Sequence, residues 1–70
     1  MNNQIVKIDV FYMSKTKSYN VVLKLLDGTT YYTSIIPRGR DFHQIFRCLW
    51  DKYDCDCPIH FEGTVFHKGA

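Results

Sequence analysis

The chain predicts a small α+β fold: a two-layer sandwich in the order β-β-β-α-β, with one amphipathic helix packed on one face of a mostly antiparallel sheet. Three observations predict it. In residues 41–53, DFHQIFRCLWDKY, an apolar face of Phe42, Ile45, Phe46, Leu49, Trp50 and Tyr53 repeats at helical spacing. Three runs ahead of it, residues 5–13, 19–26 and 29–36, are rich in β-branched and aromatic residues. The second and third runs are separated by Asp27-Gly28, a strong hairpin signal because both residues tolerate positive φ. Seventy residues make one domain, 1–70, with no room for a second core.

In the first run Val6, Ile8, Val10 and Tyr12 alternate with Lys7, Asp9 and Phe11, so the first, more apolar set should face the helix. Residues 14–18, SKTKS, have the length and polarity of a hairpin loop. The second run turns Tyr19, Val21, Leu23 and Leu25 to the helix side. The register of the third run depends on the Asp27-Gly28 loop. A two-residue loop pairs Leu25 with Thr30 and puts Tyr32 on the helix side. A three-residue loop with a bulge at Gly28 turns Tyr31 inward instead. The two-residue form is expected, which leaves Phe11, Val22, Leu26, Tyr31 and Ile35 on the open face.

Pro37 ends the third strand by removing a donor, and Gly39 permits the change of direction into the helix. Asp41 and Gln44 have the spacing of a capping box. Arg38 and Arg40 precede the helix N-terminus, where free amides and the dipole favour a phosphate or carboxylate; the alternative is a solvated turn with weak local ion pairs. Residues 54–58, DCDCP, read as a turn. Residues 58–66 read as a fourth strand, with Ile59, Phe61 and Val65 on one side, His60, Glu62, Thr64 and Phe66 on the other, and Gly63 marking a bulge. This strand should join an edge of the meander, and residues 67–70 should form a frayed end.

Composition limits the function classes. A chain this short buries only about 60% of the surface its unfolded state exposes. The 16% aromatic content offsets this, because each ring buries a large area for few ordered torsions. Nine Lys and Arg against seven Asp and Glu give a formal charge of +2, too small to indicate nucleic acid by itself. No apolar run approaches the roughly 20 residues of a membrane span, so no membrane association is expected. The opening MNNQIVKIDV lacks the basic region, long apolar run and cleavage site of a signal peptide. Three cysteines without an export signal suit reduced thiols in the cytoplasm. With Met at its start, the chain is expected to be an entire small gene product.

Cys55, Cys57 and His60, with Cys48 or His67 in reach, are the residue types of a zinc site. Zinc, however, takes C-x2-4-C pairs, whereas Cys55 and Cys57 are a C-x-C pair without a well-spaced second one. No metal or other cofactor is expected. A cysteine nucleophile needs electropositive surroundings, and Asp54 and Asp56 bracket these two thiols with negative charge. One thin core also leaves little room for a water-excluding pocket, so no enzymatic activity is expected.

Two binding readings remain. Phe11, Lys24, Lys7 and one of Tyr31 and Tyr32 interleave aromatics with lysines on the open face, as in sheets that stack single-stranded RNA. Against this, Asp9 falls between Lys7 and Phe11, and no RNP-like string is present. Protein binding fits better: several apolar groups contiguous on one exposed face mark an interaction site, and Tyr, Phe and Arg tend to anchor interfaces.

In size, solitary architecture and a composition rich in Lys, Tyr and Ile, the chain resembles small one-domain proteins that phages and mobile elements encode. Those proteins, among them anti-CRISPR proteins and RNA polymerase inhibitors, bind and disable a host enzyme or nuclease complex. No motif carries the resemblance. It implies a non-catalytic cytoplasmic module that occludes a larger host protein or nucleoprotein complex. Phe11, Tyr31, Arg38, Arg40 and Arg47 are the expected partner-binding residues. An edge strand is available for pairing with the partner or with a second copy as a homodimer. Single-stranded nucleic acid is the alternative ligand.

Overall fold

The computed structural model describes residues 4–69. It is a two-layer α+β sandwich: β1 (Ile5–Met13), β2 (Ser18–Leu25), β3 (Thr30–Ile35), α1 (Phe42–Lys52), β4 (Ile59–Phe61) and β5 (Thr64–Phe66). The strands form one sheet in the order β3-β2-β1-β4-β5. Three of the four pairings are antiparallel and β4 lies parallel to β1. No helix among the described residues is long and apolar enough to cross a membrane.

The helix forms where the apolar spacing places it. Asp41 accepts the Gln44 N–H at 2.9 Å, and the Gln44 side chain accepts the Asp41 N–H at 2.9 Å, which completes the capping box. At the other end Asp54 takes a left-handed φ of 49°. Its N–H donates to the Asp51 carbonyl and that of Cys55 to the Trp50 carbonyl, the Schellman arrangement with Asp in place of the usual Gly. Ile45, Phe46, Leu49 and Trp50 are buried against Ile8, Val10, Val21, Leu23, Leu25, Ile59 and Phe61. Phe42, Phe46, Phe61 and Phe66 meet with ring centroids 5.1–5.7 Å apart. Four of the five phenylalanines thus close one end of the core.

Three expectations are corrected. First, β1 carries an irregularity between Ile5, which pairs with Leu25, and Lys7, which pairs with Lys24. Val6 is the extra residue of this bulge and turns outward, while Ile5 packs against the core in its place. Second, the hairpin loop has three residues. The Leu25 N–H donates to the Thr29 carbonyl at 2.9 Å, Gly28 takes φ 92°, and the Asp27 carboxylate accepts the Thr29 N–H at 2.9 Å. Leu23 therefore pairs with Tyr31 and Val22 with Tyr32, which places Tyr31 and Ile35 on the helix side and Tyr32 on the open face.

Third, the expected single fourth strand is a hairpin. Glu62 and Gly63, at φ 50° and 82°, form a two-residue turn that folds β5 back on β4. Phe66 then lies opposite Ile59 on the core side, and Val65 lies opposite His60 on the open side. The alternation expected of one continuous strand is reversed beyond the turn. This hairpin joins the β1 edge of the meander. Residues 67–69 lead out of β5 through a turn at Lys68 and Gly69; Ala70, the last residue of the expected frayed end, lies outside the described residues.

Candidate functional site

The sheet has one face under α1 and one face that no described element covers. Register brings the open-face residues into rows. Phe11 lies beside Asn20, and Asn20 beside Ser34. In the next row Tyr32, Val22, Asp9, His60 and Val65 run across all five strands. Lys7, Lys24 and Thr30 form the third.

Phe11 and Met13 on β1 and Tyr32 on β3 wall a shallow hollow, with Asn20, Val22 and Ser34 also lining it. Phe11 is 54% exposed and Tyr32 78%, unusual values for aromatics in the middle of strands. Below the hollow Asp9 holds both lysines, with Lys7 Nζ at 3.8 Å and Lys24 Nζ at 3.9 Å. The Asp9 side chain is largely shielded while both lysines stay half-exposed.

The five residues expected to bind a partner do not form one patch. Phe11 stands on the open face. Tyr31, through the corrected register, projects on the helix side, where it lines a second shallow hollow with Ile5, Leu23, Leu25 and Tyr53, the C-cap of α1. Arg38 is exposed on the loop after β3, in a left-handed conformation at φ 52°. Arg40 is folded back onto its own chain: Nε donates to the Pro37 carbonyl at 3.0 Å, Nη2 to the Ile36 carbonyl at 3.4 Å and Nη1 to Cys48 Sγ at 3.2 Å. Arg47 is exposed on α1, in a groove with His43, Trp50, Phe66 and His67 at the β5 side.

The helix N-terminus does not favour an outside anion, because the Asp41 carboxylate already takes the Gln44 amide. Met13 was not among the open-face residues expected, and Tyr32 was expected there only with the three-residue loop. Met13 was readable from its alternation with Phe11; Tyr32 needed the loop geometry.

Two of the three thiols are neighbours. Cys57 is buried and its Sγ lies 3.7 Å from Cys55 Sγ, unbonded. Burial pushes the Cys57 thiol up to about 12, with the hydrogen bond and charge of Cys55 adding to it. Cys48 instead takes the Arg40 guanidinium, and His60 lies beside Asp9 on the open face. Among the described residues no group of three or more His, Cys, Asp and Glu is placed to hold a metal ion. No family model matches the chain, and no curated protein and no solved structure matches it either.

Proposed function

We propose that the chain is a non-catalytic binding module that seats its open sheet face on a larger protein and blocks it sterically. Small inhibitors encoded by phages and mobile elements act in this manner, in the cytoplasm of the host. The observation that carries the reading is Phe11. Four phenylalanines meet in the core, while the fifth stands exposed in the middle of a strand beside Met13, Val22 and Tyr32. A contiguous apolar patch of this kind is costly to leave in water and marks an interaction surface.

Charge favours a protein over a phosphate backbone. Lys7 and Lys24 are both engaged by Asp9, which partly neutralises the cations of that row toward a phosphate backbone. The raised Cys57 thiol fits a non-catalytic role, since a nucleophile requires the thiolate. Unbonded thiols at Cys48, Cys55 and Cys57 suit a reducing compartment.

The test is capture from a nuclease-treated lysate of the native host, with wild-type, Phe11→Ala and Lys15→Ala chains immobilised in parallel. The expected result is one protein retained by wild-type and Lys15→Ala and lost by Phe11→Ala, with retention little changed by salt. A central aromatic anchor is worth about 2 kcal/mol or more of binding. Titrating the chain into the captured protein's own activity assay should then inhibit it. Retention that survives Phe11→Ala removes the open face from the interface. Binding to single-stranded RNA with an affinity that falls steeply with salt establishes the alternative.

A further inference from the structure

The two edges of the sheet differ. β5 is three residues long and runs directly into His67 and Lys68, a short edge beside a positive charge. β3 is six residues long, TYYTSI, with no charge and no proline within it. None of its side chains is buried, and Tyr31 and Tyr32 are 55% and 78% exposed. Its backbone parity follows from the loop. The Leu25 N–H to Thr29 carbonyl bond makes Leu25 and Thr29 a hydrogen-bonded pair. Alternation along the ladder then turns the amides and carbonyls of Tyr31, Thr33 and Ile35 toward β2. Those of Thr30, Tyr32 and Ser34 point out of the sheet.

The geometry points to a second copy of this chain as the occupant of that edge, paired β3 to β3 in antiparallel fashion about a two-fold axis at Tyr32. In this register Tyr32 of each copy exchanges both backbone bonds with Tyr32 of the other, and Thr30 of each does so with Ser34 of the other. All the outward groups of the strand are used. On the helix side Tyr31 lies across from Thr33 of the second copy and diagonal to its Tyr31, within aromatic reach.

Charge suits pairing with a second copy. The strand itself is uncharged; Asp27 precedes it and Arg38 follows it. Antiparallel self-pairing brings the acidic end of one copy beside the basic end of the other. An axis normal to the sheet also leaves both helices on one side and joins the two open faces into one surface. This inference stands apart from the proposed function, because the edge pairs whether or not the face has a partner.

The test is the solution mass of the chain over a wide concentration series, by sedimentation or light scattering, for wild-type, Tyr32→Lys, Ser34→Pro and Phe11→Ala. Tyr32→Lys sets like charges against each other at the axis. Ser34→Pro removes an outward N–H that β2 does not use. The expected result is twice the chain mass for wild-type and Phe11→Ala, and a folded monomer by circular dichroism for the other two. Amide exchange on the wild-type provides a reading that needs no variant: Tyr32 and Ser34 amides should become protected as concentration rises. A monomer at every concentration, unprotected Tyr32 and Ser34 amides, or a dimer lost through Phe11→Ala overturns the inference. So does a dimer that survives both edge variants. Failure of partner capture with these results intact bears only on the proposed function.

Discussion

The indole Nε1 of Trp50 donates a 2.7 Å hydrogen bond to the main-chain carbonyl of Cys57, inside the core. The last turns of α1 are thereby tied to the segment that carries the chain back into the sheet at β4. Trp50 has two roles, filling volume and satisfying a buried acceptor. Trp50→Phe keeps much of the first and removes the second, so it should cost about 2 kcal/mol of stability. The expected observation is a lower urea midpoint by circular dichroism at an unchanged slope.

The Cys57 thiol makes stability depend on alkaline pH. In the unfolded chain it titrates at its ordinary value of 9.0, whereas burial raises it to about 12 in the fold. Between those values the unfolded state has lost the proton that the folded state keeps, and unfolding is favoured. This contribution is present in full below pH 9.0 and is lost progressively as pH rises toward about 12. Burial also raises Tyr19, followed by the charge of Tyr12, Glu62 and Asp41, and it acts in the same direction. The melting temperature of wild-type should fall more steeply above pH 9.0 than that of Cys57→Ala. Alkylation at neutral pH should label Cys57 more slowly than Cys55, readable by peptide mass.

Two turns make opposite demands. Glu62 holds φ 50° in a two-residue hairpin turn where Asn-Gly is preferred, so Glu62→Asn should raise stability by about 0.5–1 kcal/mol. A side chain at Gly28 would meet nothing within 4 Å, and only its φ of 92° resists substitution. Gly28→Ala should therefore cost about 1 kcal/mol through backbone strain alone, measured by the same denaturation series.

Arg38 and Arg40 separate contact from scaffold. Arg40→Ala removes three hydrogen bonds that fasten the loop after β3 to itself and to α1, and should cost about 1–2 kcal/mol. Arg38→Ala touches an exposed side chain and should stay within about 0.5 kcal/mol of wild-type. Thermal melts of the two variants check this. If both weaken partner capture, only the Arg38 loss reports on an interface.

The helix and the layer order were legible because they rest on spacing. Phe42 to Tyr53 show a 3.6-residue period, and the Asp41–Gln44 capping box needs only local geometry. What was not legible depends on pairing. A bulge exists only relative to a neighbour, so nothing at Val6 itself announces that Ile5 will take its place against the core. Asp27-Gly28 fits loops of two or three residues equally, and the side chains of Tyr31 and Tyr32 exchange faces on that choice. Glu62-Gly63 lacks the Asn or Asp that marks a tight turn, which hid a hairpin inside an apparently continuous strand. The site inherited these errors: Phe11 needed only alternation and came out on the open face, while Tyr31 needed the register and did not.

β1 is the first of the described strands and stands in the middle of the sheet, with β2 on one side and β4 on the other. Ile8 must wait for Ile59, and Val10 for Phe61, before its second neighbour exists. On a ribosome this postpones closure of the sheet until β4 has been made, since these contacts join residues far apart in sequence. A chain truncated after Cys57 would retain the first three strands and the helix but not the ring cluster that seals them. Its circular dichroism melt should lack a cooperative transition, so the β4–β5 hairpin decides when the fold first becomes solid.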